Sequence, residues 1–98
     1  MTSKTWIMQV PVLSTSHITK QTNELLTRQG DDNPWMHCAK YDQGYFISVP
    51  AASEFPSDVM AAPADLVEIW DWAREHNYAF VRVDVDGSIC PDLTEYDW

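Results

Sequence analysis

A chain of 98 residues with 45% hydrophobic content is long enough for one domain with a modest core, and too apolar for a wholly disordered acidic chain. Fifteen Asp and Glu against six Lys and Arg leave a net charge of −9, which opposes direct binding to nucleic acid. The charge is one-sided: residues 51–98 hold eleven of the acids against Arg74 and Arg82 alone, whereas residues 1–50 balance four against four. A field of this kind attracts basic protein surfaces over about 8–10 Å, the Debye length near physiological salt.

Residues 6–13 alternate in a strand-like pattern, and Pro11 has no amide to donate, so this strand ends near it or has an open side there. Ser14, Thr15 or Ser16 then caps a helix carried by Ile18, Thr22, Leu25, Leu26 and Gln29 and stopped by Gly30. Asp31-Asp32-Asn33-Pro34 reads as a turn. Residues 35–41 and 45–49 read as two strands joined by Asp42-Gln43-Gly44, whose last residue is expected in the left-handed region. Residues 51–63 form a loop in which Pro63 stands as the first residue of a second helix over 64–76. Leu66, Ile69, Trp70 and Ala73 share one side of that helix, and Asn77 caps its end. Residues 78–85 predict a strand with Val81, Val83 and Val85 on its apolar face, followed by a turn at Asp86-Gly87 and an acidic tail ending in two aromatics.

The order β-α-β-β-α-β over residues 1–98 predicts a single α+β domain: an antiparallel sheet with two helices packed on one face, as in the ferredoxin-like sandwich. Pro11 sits poorly in that topology, because the first strand would be central. The expected core is Ile18, Leu25, Leu26, Ile47, Val49, Leu66, Ile69, Trp70, Val81 and Val83. No run is long enough for a signal peptide or membrane span, so a cytoplasmic protein with Cys38 and Cys90 as free thiols is expected.

Four segments, STSHIT at 14–19, YDQGYFISVP at 41–50, WAREHNYAFVRVDVDG at 72–87 and EYDW at 95–98, together resemble a small family of unknown function, domain of unknown function 5983. That family is scattered over bacterial plasmids and other mobile elements, and the resemblance implies no activity and no catalytic residues. It does imply a mobile-element setting, in which small acidic proteins often inhibit host defences such as restriction or CRISPR systems.

Asp65, Glu68, Asp71 and Glu75 fall within an arc of about 120° on the second helix, with Trp72 among them. Asp71 and Glu75 form a like-charge i,i+4 pair, unfavourable by a few tenths of a kcal/mol (about 0.2–0.5) in an isolated helix. A solvated face explains such a run equally well. The tail adds the acids Asp92, Glu95 and Asp97 and the aromatics Tyr96 and Trp98. Together these ten residues form the expected partner-binding surface. The expected partner is a basic protein surface of a nucleic-acid-binding host complex, with no direct nucleic acid, no membrane and homodimerisation left open.

No catalytic, cofactor or metal site is expected. The three glycines form no phosphate loop, and Asp84-Val85-Asp86-Gly87 lacks the further ligands of a calcium loop. His37 and Cys38 are consecutive on a strand and point to opposite faces, and His17 reads as a capping or buried histidine. The leading expectation is therefore a non-enzymatic inhibitor acting as an acidic decoy. The alternatives are a small metal-dependent or acid/base enzyme using Asp84, Asp86 and a histidine, and a structural homo-oligomer.

Overall fold

A computed structural model describes residues 7–51 and 62–98. The expected start of the first strand at Trp6 and most of the 51–63 loop lie outside the described residues. Strand β1 (Val12–Ser14) leads through a 3-10 turn (Thr15–His17) to helix α1 (Lys20–Gln29). A second 3-10 turn (Gly30–Asp32) precedes β2 (Cys38–Tyr41) and β3 (Gly44–Ser48), and helix α2 (Ala64–Glu75) precedes β4 (Phe80–Asp84).

The sheet is mixed, which corrects the antiparallel, ferredoxin-like expectation. Its order is β1-β4-β3-β2, with β1 parallel to β4 and both other pairings antiparallel. The first strand is an edge strand, and Pro11 shows why. Its carbonyl accepts the last rung from Arg82 N–H (2.9 Å), and it has no N–H to extend the ladder. The outer side of β1 is then covered by the chain that leaves β4. Ser88 N–H donates to Val12 O (3.1 Å) and Ser14 N–H donates to Ser88 O (2.9 Å), so one segment flanks β1 on both sides. To reach that outer side the backbone crosses β1 at Gly87, where a Cβ would overlap the Leu13 carbonyl group.

Local chemistry sets the remaining boundaries. Ser14 caps only the 3-10 turn, and α1 starts later than expected because Thr19 is its N-cap, its Oγ1 accepting from Thr22 N–H (3.1 Å). Gly30, at φ 54°, ends α1. Pro63 precedes the first helical residue of α2, and Asn77 follows its end at φ 63°. The hairpin loop is tighter than expected: Gly44 pairs with Tyr41 as the first residue of β3. It is a glycine because a side chain would overlap the Val83 carbonyl on the neighbouring strand.

Register aligns Cys38, Ile47 and Val81 in one row and Tyr45, Val83 and Leu13 in the next, all on one face of the sheet. These side chains are buried in one cluster with Ile18 and Leu26 and with Leu66, Ile69, Trp70 and Ala73 of α2. Leu25 and Val49 are only partly buried, and Val85, just past the strand, is exposed. Tyr45 ties the sheet to α1, its hydroxyl lying 2.9 Å from Asn23 O and 2.6 Å from Thr27 Oγ1.

Both cysteines are free thiols. Burial, aided by the Asp31 charge, pushes the Cys38 thiol from 9.0 up to about 11. The unfolded chain thus loses this proton first, and the thiol's share of stability is lost as pH rises from about 9 to 11. Denaturation curves should show this alkaline loss in the wild type and a smaller one in Cys38→Ala; equal losses would exclude Cys38 as the source. Ile69→Ala should cost about 2–5 kcal/mol. Gly87→Ala should also lower the melting temperature, since the β1 crossing has no room for a methyl group. An unchanged melting temperature in either variant would refute the packing described here.

Candidate functional site: an acidic groove along the second helix

Helix α2 and the tail enclose a groove of about 650 Å³ that brings together Glu68, Asp71, Trp72, Glu75 and Asp92. The spacing of α2 sets three acids and the tryptophan on the side away from Leu66, Ile69 and Trp70. Trp72 packs its inner edge on the core, and its ring centroid lies 4.9 Å from His76 and 5.6 Å from Tyr78. His76 and Tyr78 stack at 6.0 Å, which makes an aromatic wall. The Trp72 indole N–H has no acceptor among the described residues.

The acids here differ in how free they are. Glu75 and Asp92 are exposed and enter no hydrogen bond or ion pair among the described residues. Asp71 pairs with Arg74 (2.7 Å), whose guanidinium also donates to Pro50 O, so the expected Asp71–Glu75 repulsion is tempered by a cation. Glu68 is committed to the tail, accepting Thr94 N–H (3.2 Å) and Thr94 Oγ1–H (2.9 Å).

Asp65 does not belong to the exposed ridge. It is buried between the helices, where its carboxylate accepts Thr19 N–H (2.7 Å), Thr22 Oγ1–H (2.9 Å) and Leu66 N–H (3.0 Å). The spacing rule placed it one step from Glu68, but α1 packs against that step, which no periodicity within α2 reveals.

Of the tail residues, Asp92 alone among the expected ones lines the groove, next to buried Leu93. Glu95 and Asp97 are exposed elsewhere. Tyr96 is half-buried and lines a second hollow of about 680 Å³ with Thr19, Leu25, Arg28 and Asp65. Burial raises its hydroxyl pKa, and the Asp65 and Glu68 charges add to the rise. Trp98 is half-exposed, yet its indole N–H donates to Ile18 O (2.9 Å). Two contributors were missed in the sequence. His76 was legible in principle, four residues from Trp72 on the same face. Thr94, the anchor on Glu68, carried no signal.

The residues of the enzyme alternative are dispersed. Asp84 accepts Tyr41 O–H (2.6 Å) and Asp86 N–H (2.7 Å), and it lies 3.4 Å from Arg82. Donation from Tyr41, then from the Asp86 amide, with Arg82 helping, holds its carboxyl below the ordinary range. His17 is fully buried and bonded to the tail, His37 lies 3.6 Å from Asp31, and His76 sits in the groove. Among the described residues no group of three or more His, Cys, Asp and Glu is arranged to hold a metal ion. No described helix is long and apolar enough to cross a membrane.

A family model described as the C-terminal domain of a family of unknown function, DUF5983, matches residues 10–98. The chain belongs to that family. The match spans all four strands and both helices, so it covers the groove as well as the core. The family's description assigns no activity, and no residue role transfers from it. No curated protein and no solved structure matches the chain significantly.

Asp65→Ala would strand buried donors at the helix junction, at a cost of about 1–3 kcal/mol. Thermal unfolding should register this as a drop of several degrees, roughly 4–8 °C per kcal/mol for a domain of this size. A wild-type melting temperature would show that Asp65 is dispensable to the helix junction.

Proposed function

We propose that this protein is a non-enzymatic binding module whose acidic groove takes up a basic segment of another protein. The observation that carries this reading is the convergence of Glu75, Asp92 and Asp71 around Trp72, with only Asp71 paired to a cation, Arg74, among the described residues. Carboxylates at a rim steer a cationic partner in, and an aromatic face beside them favours Lys or Arg by cation–π attraction of about 0.5–2 kcal/mol. The net charge of −9 adds long-range attraction for a cationic partner. Self-association through this face would set like charges together, so the partner is a different protein.

The mobile-element setting implied by the family resemblance makes the partner a basic, nucleic-acid-binding complex of host defence, of the CRISPR or restriction kind. In that setting the protein acts as an inhibitor, occupying the groove that nucleic acid would fill. Residence in the cytoplasm fits the same reading.

Glu75 and Asp92 are the residues to reverse, because Glu68 and Asp65 also hold the fold together. Wild-type and Glu75→Lys/Asp92→Lys proteins, with folding verified by circular dichroism, would serve as paired baits in a host lysate. A partner captured by the wild type alone would then be measured kinetically. The double variant should slow association, and the difference should shrink as salt rises. Trp72→Ala should instead speed dissociation. Equal capture and equal affinity in the charge-reversed protein would reduce this groove to wet surface.

A further inference from the structure

The chain beyond Ser88 adds no helix or strand, yet Cys90, Thr94, Tyr96 and Trp98 bond it to the fold at intervals. Cys90 N–H donates to His17 Nε2 (2.8 Å), which leaves the ring proton on Nδ1, and Nδ1 donates to Thr94 O (2.9 Å). Thr94 returns its N–H and hydroxyl to Glu68 of α2. Tyr96 N–H donates to Ser16 O (2.7 Å), and the Trp98 indole N–H donates to Ile18 O (2.9 Å). Three consecutive residues around the 3-10 turn, Ser16, His17 and Ile18, therefore hold most of the tail. Within residues 91–98 only Leu93 is buried, and the two His17 bonds bracket it.

We infer that residues 90–98 are a strap that opens and closes as one unit, and that the groove has its second wall only while the strap is closed. Closed, the strap sets Asp92 and Leu93 against α2 and keeps Glu68 bonded to Thr94. Open, the wall leaves, and Glu68 becomes a free carboxylate on the helix. Two features keep opening within reach. The strap fully buries one apolar side chain, Leu93, with Cys90 and Tyr96 only partly buried, and its acids Asp92, Glu95 and Asp97 lie on a fold already negative at Asp65 and Glu68, so charge repulsion works against closure. Cooperativity comes from His17, because one ring cannot release Cys90 and keep Thr94 in register. The inference is independent of what fills the groove.

Amide hydrogen exchange on the full chain, followed by NMR, tests it. Cys90, Thr94 and Tyr96 amides should exchange with one common opening constant, at least tenfold faster than Arg82 in the middle of β4. Trp98→Phe keeps an aromatic ring but deletes the indole donor at the far end. It should speed exchange at Cys90, eight residues away, by the same factor as at Thr94 and Tyr96, with Arg82 unchanged. Acceleration at Tyr96 with Cys90 unaffected would mean simple fraying and would overturn the strap. So would tail amides that exchange no faster than Arg82, since the tail would then open only with the whole fold.

Discussion

Carboxylates in this fold are satisfied by hydroxyls and amides, because the acidic half of the chain holds only two arginines. Asp65 takes two backbone N–H groups and a threonine hydroxyl. Asp84 takes a tyrosine hydroxyl and an amide before Arg82 adds its charge. Glu68 takes both donors of Thr94. Charge-assisted bonds of this type are shorter and stronger than neutral ones, so each of these acids fixes a neighbouring segment in place. Asp65 fixes the start of α1 against α2, Asp84 fixes the end of β4, and Glu68 fixes the tail. Of the other acids, Asp71, Glu75 and Asp92 line one groove with Glu68, while Glu95 and Asp97 are exposed elsewhere.

Much of this was legible in the sequence, where a single element sets the outcome. The apolar stripe of α2 and the alternation of Val81 and Val83 reported their buried faces, since periodicity within an element is enough to phase it. Pro11 argued against a central first strand, although the expected sandwich placed it there. What it could not report was which strand would lie beside it, a choice made by the return of the chain through Gly87. Asp65 was misplaced for a related reason: its helical angle is that of a surface residue, and only the arrival of Thr19 and Thr22 makes the position interior. His17 could be read as buried, but its two partners lie more than seventy residues on, beyond any local pattern. Strands read from 35 and 78 begin at Cys38 and Phe80, although the carbonyls of His37 and Ala79 still accept the Ser48 and Val49 amides.

The clasp around β1 also bears on how the chain acquires this shape. Val12 pairs with Arg82, Leu13 with Val83 and with Ser88, so every rung of the first strand joins segments far apart in the sequence. The β2–β3 hairpin, by contrast, closes over a few residues and needs nothing distant. Contacts of long separation pay their loop-closure entropy before they return any stabilisation, which makes their formation late. During synthesis β1 emerges well before β4, the strand that pairs with it. The β2–β3 hairpin can form meanwhile, while β1 waits, unpaired, for β4 and Ser88.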